Sequence, residues 1–262
     1  WIMAYTTIDD PEAYFQVKLY TGNDTNRTIT LDADTDMQPD LVWMKDRDQA
    51  IYHRLTDSVR GVGKVLFTNV NNAEQDDEYG TVGSFVSDGF TIRVGANANS
   101  TWVGANENTI KYVAWCWKES ATAGFDIVGF TGNNTARTIS HSLSAVPAMI
   151  IHKDRDVAQN FLVTHKGLAQ MSAALHVLNT TEAVGTSSGA FNGTAPTSSV
   201  FSVGANAETN ADGSEMICYL WSEKQGFSKF SKYTGNGNAD GPFVYTGFRP
   251  AFVMIKRTDS AA

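Results

Sequence analysis

The 262-residue sequence has two cysteines, six prolines and no apolar run near the roughly 20 residues that a membrane-spanning helix needs. Its first residues show neither a basic segment nor an apolar one of the kind that opens a secretory signal, so no membrane insertion is expected. Positive charge is also in short supply, with 20 Lys and Arg against 28 Asp and Glu and a formal net charge of −8. Binding to a phosphate backbone depends on clustered Lys and Arg that release counterions, so nucleic acid is not an expected partner. Cys116 and Cys218 each sit inside an apolar, strand-like run, where a free thiol behaves as a small buried hydrophobe. Neither belongs to a CxxC pair or has a His at ligand spacing, so no disulfide, zinc site or other cofactor is expected. The chain is read as folding in a reducing cytoplasm.

What is abundant points the other way from helix. Hydrophobic residues make up 42% and charged residues 18%, while 22 Gly with many Asn, Thr and Ser signal frequent turns. The length allows roughly two domains, each with its own core.

Self-similarity is the main internal signal. Tyr20-Thr21-Gly22-Asn23 recurs as Phe130-Thr131-Gly132-Asn133 and as Tyr233-Thr234-Gly235-Asn236, at spacings of 110 and 103 residues. Pro39 heads PDLVWMKDRD, Pro147 heads PAMIIHKDRD, and Pro250 heads PAFVMIKRTD. Gly95-Ala96-Asn97 matches Gly204-Ala205-Asn206, and YVAWCWKE at 112–119 matches MICYLWSE at 216–223. The expected organisation is an all-β chain of tandem repeats of about 105 residues, each a β-sandwich of jelly-roll or lectin-like type. Its parts are an N-terminal arm at 1–14, repeats at 15–119 and 125–223, and an incomplete third repeat at 227–262. Strands are predicted near 15–20, 27–31, 41–47, 51–55, 64–67, 82–86, 90–94 and 110–118, with a brief helical stretch at 166–174. The runs at 41–44, 149–151 and 252–255 are apolar on both faces, the pattern of a strand buried between layers. The third repeat has no counterpart of SDGF (87–90) or YVAWCWK, and a fragment of sheet closes no core alone. Completion by further chain or by a partner is expected.

YTGN, PDLVWMKDRD, DSVRG at 57–61, SDGF and YVAWCWK, taken as a set, resemble a module repeated in structural and tail-fibre proteins of marine bacteriophages. The resemblance extends over nearly all of 3–262, and Met3 stands where such proteins start. It implies a non-enzymatic virion component assembled in the host cytoplasm, with other virion proteins and further copies of itself as partners. A tail fibre or similar appendage for host attachment is the first reading; a lectin-like module for host-surface glycans and a capsid decoration protein are the alternatives. The second repeat has His165-Lys166-Gly167-Leu168 where the first has DSVRG, which argues against a ligand site shared at that position.

The strongest charged constellation is Lys45, Asp46, Arg47 and Asp48 with its counterpart Lys153, Asp154, Arg155 and Asp156. Alternating charges at the end of a buried strand can grip an acidic or sugar ligand, although a salt-bridged loop explains them as well. The aromatic-Thr-Gly-Asn turns likewise offer sugar-binding side chains, but a tight turn needs Gly and Asn in any case. Asp32, Asp34 and Asp36 begin like a calcium loop, yet Met37 and Trp43 stand where its Gly and Glu belong, so no metal is expected. His53, His141, His152, His165 and His176 have no nucleophile motif beside them. Glu119 and Glu223 recur, but no second recurrent carboxylate completes a glycosidase pair. No catalytic residue is therefore expected.

Overall fold

The computed structural model describes residues 5–76, 80–95 and 103–259. Met3, Ala96 and Asn97, named above, lie outside them. Among the described residues nine strands come first: β1 (Phe15–Thr21), β2 (Arg27–Ile29), β3 (Leu41–Asp46), β4 (Arg54–Asp57), β5 (Lys64–Phe67), β6 (Gln75–Asp76), β7 (Thr81–Val86), β8 (Gly89–Arg93) and β9 (Lys111–Trp117). Eight follow: β10 (Phe125–Thr131), β11 (Arg137–Ser140), β12 (Met149–Asp154), β13 (Leu162–His165), β14 (Ala174–Val177), β15 (Gly185–Thr186), β16 (Val200–Val203) and β17 (Glu215–Trp221). The molecule is all-β, and helix among the described residues is limited to a 3-10 turn at Pro11–Ala13 and one α-helical turn at Ala207–Asn210. No helix among the described residues is long and apolar enough to cross a membrane.

Every ladder among the described residues is antiparallel. One six-stranded sheet runs β1-β9-β3-β4-β5-β6 and the other β10-β17-β12-β13-β14-β15, so both orders have the same form. A three-stranded sheet, β2-β8-β7, and a two-stranded one, β11-β16, complete the set. The runs that are apolar on both faces at 41–44 and 149–151 lie inside the sheets, each strand with a neighbour on either side.

Alternation along the strands divides the core. In β9, Trp115 and Trp117 point to one face, whereas Ala114 and Cys116 point to the other. The second set meets Ile29, Val82, Phe90 and Ile92 of the three-stranded sheet. Ile150, Cys218 and Leu220 of the other large sheet meet Ile139, Phe201 and Val203 in the same manner. The remaining faces turn toward each other. Leu41, Leu55, Leu66 and Trp117 form one continuous core with Phe125, Met149, Ile151, Val163, Ile217, Tyr219 and Trp221. Each half thus has a cluster of its own, and the largest cluster, in addition, belongs to both large sheets.

Two local expectations also change. Residues 166–174 form turns leading into β14 rather than a helix, because Gly167 and the bond from Thr164 Oγ1 to the Met171 carbonyl hold the segment bent. Residues 252–255 form no strand despite their pattern; Phe252 packs on the shared core while Val253 and Ile255 are 64% and 66% exposed.

Candidate functional site

Of the eight charged residues singled out in the sequence, at the ends of β3 and β12, the two lysines and four aspartates are engaged in holding backbone. Lys45 Nζ donates to the carbonyls of Asp46 and, at 2.9 Å, Gln49; Lys153 Nζ donates to those of Asp154, at 2.6 Å, and Val157, at 3.1 Å. Asp46 Oδ1 accepts from the amides of Asp48 and Gln49, and Asp154 Oδ1 from those of Asp156 and Val157. Asp48 Oδ2 then accepts from the amide of Lys111, and Asp156 Oδ2 from that of Glu215, fastening each turn to the start of the next strand. Lys153 is fully buried, with its ammonium 5.7 Å from the Phe161 ring, and burial pushes it down to about 8. The two arginines differ. Arg155 forks onto Glu74 at 3.0 and 2.8 Å, whereas Arg47 is exposed and its guanidinium has no partner among the described residues.

The aromatic-Thr-Gly-Asn turns are likewise internally engaged. A Cβ on Gly22 would stand 1.9 Å from the Glu107 carbonyl oxygen, and one on Gly132 1.9 Å from that of Ala211, so only glycine fits. Buried Asn106 donates through Nδ2 to Asn23 Oδ1 and the Thr25 carbonyl; buried Asn210 does the same to Asn133 and Thr135. The Arg27 guanidinium lies 5.5 Å from the Tyr20 ring, and that of Arg137 lies 5.4 Å from Phe130.

The polar centre that sequence reading missed lies between the large sheets. Asp57 and Arg60, both fully buried at the side chain, pair at 2.5 Å, and Arg60 reaches on to Glu74 Oε2 at 2.9 Å. Tyr219 donates its hydroxyl to Asp57 Oδ2 at 2.7 Å. The only sequence signal was the i, i+3 charge pair inside DSVRG. Burial alone would raise the Glu74 carboxyl, but hydrogen bonds from Arg155 and Arg60 outweigh it and hold the group below its ordinary value. Among the histidines, burial pushes His152 down to about 4. The carboxyl groups of Glu119 and Glu223, two residues past β9 and β17 respectively, lie in opposite surroundings. Burial and neighbouring Asp126 push Glu119 up to about 8, while Glu223 is bonded to Lys166 and Lys229. Among the described residues no group of three or more His, Cys, Asp or Glu is arranged to hold a metal ion.

The large concavity described is lined mainly by apolar surface, with Asp32, His165, Lys229 and Arg249 among its charged and polar residues. Phe15, Trp43, Trp115 and Trp117 form an aromatic shelf on the first large sheet, and Phe252 rests on it with ring centroids 5.4 to 6.4 Å away. The cleft between this shelf, the second large sheet and the 226–259 segment has a volume of about 2300 Å³. It offers stacking surfaces and hydrophobic contact rather than converging acid–base groups.

No curated protein and no solved structure matches the chain. A family model described as a domain of unknown function (DUF7483) matches residues 10–262, and the chain belongs to that family.

Proposed function

We propose that this protein is a non-enzymatic structural component of a bacteriophage virion, a tail fibre or fibre-like appendage for host attachment. In this reading it is built of tandem β-sandwich repeats of about 105 residues, and its partners are other virion proteins and further copies of itself. The observation that carries the reading is the duplicated clamp at the ends of β3 and β12: the motif that recurs in the sequence makes the same backbone bonds in both halves. Residues repeated for scaffolding in this way suit a protein that supplies rigid, stackable units, whose weak contacts add by avidity. The resemblance to marine phage tail-fibre modules supplies the virion location.

The lectin-like alternative draws on the aromatic shelf, because exposed edges of Trp43 and Trp115 can stack on sugar rings. Electron microscopy of antibody-labelled virions tests the main reading. Label along the tail supports it, label on the capsid assigns a decoration role, and unlabelled particles overturn it. Specific binding on a glycan array, lost in Trp115→Ala, would favour the alternative.

A further inference from the structure

The segment 250–259 is the third copy of a motif whose first two copies carry the inner strands β3 and β12. Aligning the three copies on their prolines makes Leu41, Met149 and Phe252 counterparts, and all three converge on one core. The same register makes Arg155 and Thr258 counterparts. Since β6 and β15 each begin one residue later, Glu74 and Val184 are counterparts as well. The Glu74 amide donates to the Arg155 carbonyl at 2.7 Å, and the Val184 amide donates to the Thr258 carbonyl at 3.0 Å. The bond that joins the first large sheet to the second is thus made again between the second sheet and 250–259.

A contact that repeats in one direction, from first to second and from second to third, generates either an open helix or a closed ring. Here it closes. Trp117 and Trp221, counterparts of one another, touch at 6.3 Å, and Phe252 touches Trp117 at 5.4 Å, so the third copy is also a neighbour of the first. Three mutually adjacent copies around one core define a pseudo-threefold axis.

We propose that this core is that of a three-sided β-prism and that the cleft is the seat of a third antiparallel sheet of the same construction, with residues 252–257 as an inner strand. The proposal rests on the repeat reading and not on the virion role. The cleft lies where such a sheet belongs, between Phe15, Val17 and Trp43 of the first sheet and Phe125, Ile151 and Val163 of the second. Its volume exceeds the roughly 300 to 1,000 Å³ of small-molecule sites and suits packed polypeptide. The features facing the open side are those the third sheet would cover. Leu19, on the edge strand β1 two residues after Val17 and on the same face, is 55% exposed. Gly22 and Gly132 each have a carbonyl pressed against them, whereas their counterpart Gly235 has nothing within 4 Å. An unpaired extended segment whose run 252–255 is apolar on both faces is a template for such pairing.

Two measurements decide it. In the chain as it stands, the pairs Glu74→Cys with Arg155→Cys and Val184→Cys with Thr258→Cys are oxidised in separate variants, Cys116 and Cys218 being buried. Both pairs should close intramolecular disulfides to a similar extent. Closure of the first without the second breaks the equivalence and overturns the proposal. Next, a chain in which a copy of residues 49–119 follows Asp259 is compared with the original by hydrogen exchange. Amides at 252–257 should slow at least roughly 100-fold and tryptophan emission should shift to the blue. Unchanged exchange in a folded extended chain overturns the proposal. So does protection of these amides by maltohexaose or chitohexaose with none from the extension, which assigns the cleft to a glycan. Neither failure bears on the virion reading, which labelled particles test separately.

Discussion

The Tyr219 hydroxyl and the Asp57 carboxylate, 162 residues apart in sequence, meet at 2.7 Å between the two large sheets. Asp57 also accepts from the amide and Nε of Arg60, whose Nη2 donates to the Leu55 carbonyl at 2.8 Å. A buried ion pair is tolerable only when its remaining valences are filled, and the tyrosine fills one of them. Tyr219→Phe should therefore cost about 1.5 to 3 kcal/mol, the range for a hydrogen bond to a charged group. Asp57→Ala should cost more, about 3 to 5 kcal/mol, because it strands Arg60. Urea unfolding reads both. A Tyr219→Phe midpoint equal to that of the wild type would show that the sheets do not meet through this bond.

Glu74 links the same network to Arg155, and the pH dependence has a definite sign. A carboxyl held below its unfolded value stabilises the fold above about pH 4.3, and that contribution is lost as pH falls through the folded value. Thermal melts of the wild type should fall more steeply between pH 5 and pH 3 than those of Glu74→Gln, with the variant the less stable at pH 7. Parallel curves would contradict the pairing with Arg60 and Arg155.

Trp117 is the aromatic anchor of the shared core. It is 8% exposed and lies against Phe15 at 4.8 Å, Trp221 at 6.3 Å and Phe252 at 5.4 Å. Trp117→Ala should cost about 3 to 5 kcal/mol, as large-to-small core changes do. Trp43 and Trp115 are half-buried, so their alanine variants should cost less. An order in which Trp115→Ala is the most damaging would mean that the shelf is more completely covered than the exposures indicate.

Much of the strand pattern was legible because it depends on local alternation. The runs 15–20, 64–67, 82–86 and 110–118 lie within a residue of β1, β5, β7 and β9. The run at 51–55 is displaced to β4 at Arg54–Asp57, since the Asn69 side chain and the Thr68 amide hold His53 outside the ladder. The same apolar pattern failed at 252–255, where pairing, not propensity, decides whether a strand forms. The clamp residues Lys45 to Asp48 were legible as a constellation, but whether they face a ligand or their own backbone depends on where the chain turns next. Glu74 and Tyr219 carried no signal at all, because what makes them matter is a neighbour from the other sheet.

Glu119 and Glu223 supply a final contrast. Each follows the last strand of a large sheet and precedes a connector closed by an antiparallel bridge, Ser120 to Phe125 in one case and Lys224 to Ser228 in the other. The bridge sets Glu223 near Lys229, at 3.2 Å, but it sets Glu119 near Asp126, which is 2% exposed. Burial first, and then Asp126, Asp40 and Asp57, disfavour the Glu119 anion and push its carboxyl up to about 8. In the window from about pH 4.3 to 8 the folded chain therefore holds a proton that the unfolded chain has released, so stability falls as pH rises across it. Glu119→Gln presents a neutral, hydrogen-bonding group at every pH. Its melting temperature should match that of the wild type near pH 5 and exceed it at pH 9. Asp126→Asn removes the principal like charge and should flatten the wild-type decline in the same window. If the wild type and Glu119→Gln respond to pH in parallel, Glu119 is already ionised at neutral pH and the two carboxyl groups share no proton.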